Sequence, residues 1–323
     1  MKIGTVDVPS KLVLAPMAGV TDIGFRAVCR SLGAGLTYTE MLSAKALCYQ
    51  DKKTIPLLEL GDGEHPAAVQ IFGSDPTCIE QAAGLALEKS GADFLDLNMG
   101  CPVPKVAGSG DGSGLMRTPE LAMKVLEAAI RGAGGKPVTV KMRLGWDKGS
   151  INCIELGREM ETHGAAAVTL HGRTRSQMYA GHADWNYIRE MKEALSIPVI
   201  ANGDVFCGHD AVRILAVTGA DAVMLGRGVF GNPWLFQQCA AALEGKPEPP
   251  LPPLAERCDT AVRQFEISAA HKGEKVACLE ARRHFAWYLK GVPHASYWKA
   301  EVTKVNTMED IYRAAEGIKR DLR

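Results

Sequence analysis

The residues of this chain that could do chemistry sit at the ends of short apolar runs. In Val138-Thr-Val-Lys-Met-Arg143 apolar and polar side chains alternate, so a strand puts Thr139, Lys141 and Arg143 on one face. Thr169, His171 and Arg173 alternate with Val168 and Leu170, Asp96 and Asn98 with Leu95, Leu97 and Met99, and Gln70 falls between Val69 and Ile71. Burying such groups costs free energy unless a partner meets them. Gln70, Asn98, Lys141, Arg143 and His171, converging at strand ends, therefore point to a ligand with many hydrogen-bonding groups and negative charge. Two further runs end in Asn202-Gly203-Asp204 and Gly226-Arg227-Gly228. Glycine lets backbone N–H groups approach an anion and Arg227 adds a bidentate charge, which suits phosphate. Cys101 opens the glycine-rich stretch Gly100 to Gly114 just beyond Asn98. A thiol there, facing Lys141, is an acid or a nucleophile, and the glycines predict a mobile lid around it.

Positioning these groups requires a particular set of elements. Eight apolar or β-branched runs recur along the chain: Leu12–Met17, Leu36–Met41, Ala67–Phe72, Phe94–Met99, Pro137–Arg143, Ala166–His171, Pro198–Asn202 and Ala222–Leu225. Their starts lie 24 to 43 residues apart, the length of a strand, a helix and two loops, which implies parallel βα units. The expected fold is α/β: a (β/α)8 TIM barrel, with a doubly wound sheet as the alternative, followed by a small all-helical C-terminal domain. In a barrel, inward residues near strand C-termini line the active-site mouth. Ile3–Val8 reads as a small hairpin over the barrel floor. Five prolines in residues 245–253 forbid a helix and mark a stiff connector. The expected units are therefore a catalytic barrel over 1–244, a linker over 245–253 and a helical domain over 254–323.

Composition narrows the function classes. With 46% hydrophobic and 23% charged residues in 323, disorder and collagen are excluded. Lys+Arg and Asp+Glu both number 37, so the formal charge is zero. Residues 254–323 nevertheless carry 13 basic against 10 acidic residues, leaving 24 against 27 in residues 1–253. Between Lys272 and Lys290 five basic residues mix with His271, His284, Phe285, Trp287 and Tyr288. That pattern is either a solvated helix face or a surface that follows a phosphate backbone. Nine scattered cysteines without C-x-x-C argue against a disulfide framework or a zinc site and suit a reducing cytoplasm. Neither a signal-peptide core nor a membrane-length apolar run is present in the sequence.

Taken together, Ala15-Pro-Met-Ala-Gly-Val-Thr-Asp22, Asp96-Leu-Asn-Met-Gly-Cys-Pro102, Lys141-Met-Arg-Leu-Gly-Trp146, His171-Gly-Arg-Thr-Arg175, Pro198-Val-Ile-Ala-Asn-Gly-Asp204, Met224-Leu-Gly-Arg-Gly228 and His284-Phe-Ala-Trp-Tyr-Leu289 resemble the bacterial tRNA-dihydrouridine synthases, most closely their B-type branch. Gly114 stands where that family usually carries alanine. The resemblance implies FMN with its ring over Pro16, Met17 and Ala18, hydrogen-bonded by Gln70 and Lys141, and its phosphate and ribityl side held by His171, Asn202, Gly203, Asp204, Gly226 and Arg227. NADPH would reduce the flavin and be replaced by tRNA presenting a flipped uridine of the D-loop, position 17 by the B-type likeness. Hydride would reach uracil carbon 6 and Cys101 would protonate carbon 5. Asn98 would orient the uracil, and Lys141, Arg143, His171 and Arg173 would supply positive charge. Lys272, Lys275, Arg282 and Arg283 would give the helical domain its tRNA surface, and a monomer would suffice. The rivals are a dihydroorotate dehydrogenase-like FMN enzyme and a non-catalytic RNA-binding protein.

Overall fold

The computed structural model describes residues 1–322. A hairpin of β1 (Lys2–Ile3) and β2 (Val6–Asp7) precedes nine parallel strands: β3 (Leu12–Leu14), β4 (Thr37–Tyr38), β5 (Leu42–Ser43), β6 (Ala67–Phe72), β7 (Phe94–Met99), β8 (Val138–Arg143), β9 (Ala167–His171), β10 (Val199–Asn202) and β11 (Ala222–Leu225). Their order is β3-β11-β10-β9-β8-β7-β6-β4. A parallel bridge from Val13 to Leu36 joins the two ends, and the Leu14 N–H donates to Leu36 O at 2.9 Å. With helices on the outer face, this is the TIM barrel expected from the spacing.

One barrel strand departs from its expected form. Leu36–Met41 is broken into β4 and β5, which both pair with β6. At the break the Thr39 hydroxyl takes the place of a ladder carbonyl and accepts from the Gln70 N–H at 3.1 Å. The first run is also shorter than expected: the Ala15 N–H still donates to Leu225 O of β11 at 2.9 Å, and Pro16–Ala18 then leave the sheet at the mouth.

Strand alternation divides the core. Leu12, Val69, Leu95, Val140, Leu170 and Ala201 face the surrounding helices. Val13, Leu36, Phe94, Ala167 and Ile200 fill the lower barrel, closed beneath by Ile3 and Val8 of the hairpin. The hairpin is the floor.

Beyond the barrel, helices Leu254–Lys272, Glu274–Tyr288, Ser296–Val302 and Met308–Asp321 bury their own cluster, including Phe265, Phe285, Ile311 and Ile318, together with Trp234 from the barrel side. Residues 246–253 have no regular structure but are strapped down. Glu248 accepts from the Gly208 and His209 N–H groups at 3.0 and 2.9 Å, where helix Gly208–Thr218 begins. The helical region sits close against the barrel: a Cβ on Gly24 would stand 2.3 Å from Gln264 O. Asp22 caps helix Ile23–Ser31 through the Phe25 N–H and accepts from the Ser268 hydroxyl at 2.6 Å and Lys272 at 2.5 Å. Among the described residues no helix is long and apolar enough to cross a membrane.

Candidate active site at the barrel mouth

At the C-terminal ends of the strands a cavity of about 410 Å³ opens, within the range of small-molecule sites. Pro16, Met17 and Ala18 form one wall, Asn98 and Cys101 another, and Lys141, His171 and Asn202 lie between them. Gly203, Asp204, Gly226 and Arg227 bound one end, and Arg283 and Trp287 bring the helical region to the rim.

A chain of hydrogen bonds under this cavity fixes its polar side chains. Asp96, wholly buried, accepts from the Thr139 hydroxyl at 2.5 Å and from Gln70 Nε2 at 2.6 Å. Gln70 Oε1 must then face Asn98 Nδ2, at 2.8 Å. Asn98 Oδ1 in turn accepts from the Gly100 and Cys101 N–H groups at 3.1 and 2.8 Å. From the other side the Ser113 hydroxyl donates to Cys101 O at 2.8 Å. The Asp96 carboxylate thus sets both amide orientations, and they set the backbone that carries the thiol. Burial pushes the Asp96 carboxyl up to about 7, against the lowering hydrogen bonds of Gln70 and Thr139. Burial likewise raises the Cys101 thiol, although the Val103 N–H, Arg143 and Lys141 oppose it, so the thiol keeps its proton at neutral pH. Lys141 is brought down to about 8 by burial and then by Arg143. Its ammonium donates to Asn202 Oδ1 at 3.1 Å, leaving two N–H bonds for a ligand.

The other end is built for an anion. The backbone N–H groups of Gly203, Asp204, Gly226 and Arg227 have no acceptor among the described residues. Gly203 has φ +128, and a Cβ there would stand 3.1 Å from the His171 ring, so both conformation and space require glycine. Asp204 pairs with Arg173 at 2.8 Å and Arg227 at 3.3 Å. Burial alone would raise its carboxyl, but the Arg173 hydrogen bond and its other partners hold it low. His171 is driven well below its ordinary pKa by burial, with Lys141, Arg143, Arg173 and Arg227 adding to the effect. It meets a ligand as a neutral imidazole, and one net positive charge remains from Arg173, Arg227 and Asp204.

Comparison with known proteins fits this geometry to a family. The dihydrouridine synthase family model matches residues 13–322. The chain belongs to the dihydrouridine synthase family. It is 40% identical over 307 residues to a probable tRNA-dihydrouridine synthase of Rickettsia conorii, covering 95% of this chain and 92% of that one. With tRNA-dihydrouridine synthase B of Pasteurella multocida it shares 38% identity over 317 residues, covering 98% and 95%. Among solved structures, an old yellow enzyme homologue from Zymomonas mobilis superposes with TM-score 0.57 at 14% identity, over 77% of this chain and 92% of that one. Histamine dehydrogenase from Rhizobium sp. 4-9 gives 0.60 at 14%, over 83% and 50%. Those two likenesses concern the fold.

In this dihydrouridine synthase family member the structure sorts the expected site residues. Cys101, Asn98, Lys141, Arg143, His171, Pro16, Met17, Ala18, Asn202, Gly203, Asp204, Gly226, Arg227 and Arg283 come together around one cavity. Gln70 does not line it: fully buried, its amide is folded between Asp96 and Asn98. Arg173 is also outside the lining, held by Asp204, Ala180 O and Gly181 O. Arg143 reaches the cavity, yet its guanidinium is occupied by Gly100 O, Thr174 O and Met178 O at 2.8–2.9 Å. In the helical region Lys272 is spent on Asp22 and Glu280, and Arg282 on Val305 O and Asn306, whereas Lys275 and Arg283 are exposed.

The stretch expected to be a mobile lid is folded. It forms a helical turn at Pro104–Ala107 and a 3-10 segment at Gly112–Arg117, with Ser113 to Met116 buried. Three of its glycines meet tight packing: a Cβ on Gly108, Gly112 or Gly114 would stand 2.6, 3.0 or 2.8 Å from Pro104 O, Cys101 Cβ or Ala107 O. The alternation puts Asp96 on the inward face with Asn98, and the basic stretch includes Trp287, but sequence reasoning gives neither a role at the site; it does not single out Met41 and Tyr179, and the approach of Met41, Tyr179 and Trp287 depends on chain far away in sequence.

Proposed function

We propose that this protein reduces a uridine of the tRNA D-loop to 5,6-dihydrouridine, using FMN and NADPH. The observation that carries the reading is a single cavity with a protonated, relay-fixed thiol at one end and four unpaired backbone N–H groups at the other. That donor set fits FMN: Gly203, Asp204, Gly226, Arg227 and the neutral His171 would hold its phosphate, with Pro16, Met17 and Ala18 against its ring and Lys141 donating to a ring heteroatom. With FMN bound there and recharged by NADPH, hydride becomes available for uracil carbon 6.

The chain's own part is positioning and proton transfer. Asn98 has a second N–H facing only the Met41 sulfur at 3.5 Å, a weak partner that a uracil carbonyl readily replaces. As hydride adds at carbon 6, negative charge grows on the carbon 4 carbonyl and carbon 5, and the Cys101 thiol gives its proton to carbon 5. Lys141 and Arg143, which favour the thiolate, stabilise the transient anion until solvent returns a proton. The rim lined by Arg283 and Trp287 lets the substrate be a nucleotide within a larger RNA, extruded from its stack. The resemblance to the B-type branch supports position 17 as the modified base, and a cavity lined by residues of one chain supports action as a monomer.

The test is NADPH-dependent formation of dihydrouridine in tRNA transcribed without modifications, with the product mapped by position. Dihydrouridine at position 17 is expected. A flavin-loaded protein that forms none would overturn the reading, and turnover of free dihydroorotate in its place would favour the small-molecule rival.

A further inference from the structure

Three loops beyond the fourth, fifth and sixth barrel strands assemble a cluster that the proposed chemistry leaves unused. Arg117 ends the 3-10 segment that follows β7, Trp146 lies three residues past β8, and Arg175 follows β9. The guanidinium carbons of Arg117 and Arg175 stand 4.8 and 4.4 Å from the centre of the Trp146 ring. The arginines that find carboxylates are others, such as Arg26, Arg173 and Arg313; neither of these two has one among the described residues. Arg175 Nε is buried without any hydrogen-bond partner, and Arg117 is exposed. Asp147, the nearest acid in sequence to Trp146, turns into its own loop, accepting from Gly149 N–H and the Ser150 hydroxyl at 3.0 and 2.8 Å.

Two like charges gathered on one indole, with an orphaned donor and no counter-charge, make a receptor for an anion that offers several oxygens. The planar guanidinium fork matches phosphate in that respect. Strand order says whose phosphate. β8 stands across the barrel ring from β3, so the loops after β7, β8 and β9 form the lip opposite the helical region. That region instead packs on helix Ile23–Ser31 after β3 and, through Trp287 stacked on Phe230 at 4.3 Å, on the segment after β11. An RNA strand that lowers one nucleotide into the cavity crosses both lips, with a phosphate on either side of that nucleotide.

We infer that Arg117 and Arg175, braced on Trp146, bind a backbone phosphate of the tRNA strand that enters the cavity. This rests on the function proposed above. The test compares flavin-loaded wild type with Arg117→Gln, Arg175→Gln and the double variant, using Arg131→Gln, which lies in an outer ion pair with Glu80, as control. Unmodified tRNA transcript is the probe, titrated over a range of salt. The double variant should bind tRNA about tenfold more weakly, with the slope of log affinity against log salt reduced by about one. Its KM for NADPH and its kcat should be unchanged. If the double variant fails to fold, the exposed Arg117→Gln alone should show the same loss in part. Wild-type affinity and slope in the variants, with wild type active, would overturn the inference. So would a raised KM for NADPH with tRNA binding intact, since the pair would then belong to the dinucleotide's phosphate. A wild type that neither binds nor reduces tRNA would instead bring down the function on which the inference stands.

Discussion

The floor and the mouth of the barrel are made by the same strands with the same alternation, yet they are satisfied in different ways. At the floor, Phe94, Ala167 and Ile200 close against Ile3 and Val8 and need nothing from outside. Two to four residues further along those strands stand Asp96, Asn98, His171 and Asn202; Asp96, Asn98 and Asn202 spend most of their polar groups on Gln70, Thr139, Lys141 and nearby backbone. A polar interior is therefore not in itself a site. The site is what stays unpaired after internal bonds are counted: the Cys101 thiol, two N–H bonds of Lys141, one of Asn98, and the backbone donors of Gly203, Asp204, Gly226 and Arg227.

Substitutions at the two ends should separate chemistry from stability. Cys101→Ala should lower dihydrouridine formation by about 10²–10⁴-fold with flavin absorbance and melting temperature kept; full turnover would remove the thiol from the mechanism. Phe94→Ala at the floor should cost about 3–5 kcal/mol of stability by chemical denaturation, while turnover per folded, flavin-loaded molecule stays the same. A parallel loss of kcat would mean that floor and mouth are coupled.

Asp96→Leu breaks the hydrogen-bond chain between them and should reduce kcat by up to about 10²-fold through misplacement of Cys101 and Asn98, whereas Asp96→Asn, able to accept from Gln70 and donate to Thr139, should keep most activity. Because the folded-state pKa of Asp96 is raised to about 7, the native state binds more protons than the unfolded chain between about pH 4 and 7, so stability from this group falls as pH rises through that window. Melting of the Asn variant should lose that slope.

Lys141 provides a smaller effect of its own. Its pKa of about 8 means that the cation is lost as pH rises. If only the cation binds, FMN reconstitution should weaken about tenfold between pH 7 and pH 9, and Lys141→Met should bind weakly at both. The mildest change is on the helical region. Lys275→Glu should weaken tRNA binding several-fold and more so at low salt, while Lys272→Glu, placed against Asp22 and Glu280, should appear first as lost stability. Equal tRNA effects from both would contradict their different surroundings.

The barrel was legible because period-two alternation and repeat spacing depend on local sequence alone. The inward direction of Lys141 and His171 follows from the same alternation. What the sequence did not disclose is how far polar groups satisfy each other. Arg173 looked like a free cation, but Asp204, 31 residues away, takes it up. His171 looked like a source of charge, but burial and four surrounding cations keep it neutral. Within Gly100 to Gly114, a side chain at Gly108, Gly112 or Gly114 would have no room, and flexibility and lack of room leave the same residue in the sequence. The break between β4 and β5 likewise depends on Thr39 substituting for a carbonyl, which no pattern of apolar residues records.

Gly19, at φ +67 in the loop that walls the cavity, gives its N–H to Glu40 and its carbonyl to His284, at 3.1 Å, and Arg283. Glu40 belongs to the barrel and the other two to the helical region, so the backbone of one residue ties the wall against the proposed cofactor to the part proposed to meet the RNA. The helical region is accordingly not an interchangeable cassette. A graft from another family member would have to supply its own imidazole and guanidinium at this point or leave the wall untethered, so the proposed choice of uridine and the proposed cofactor wall would be inherited together.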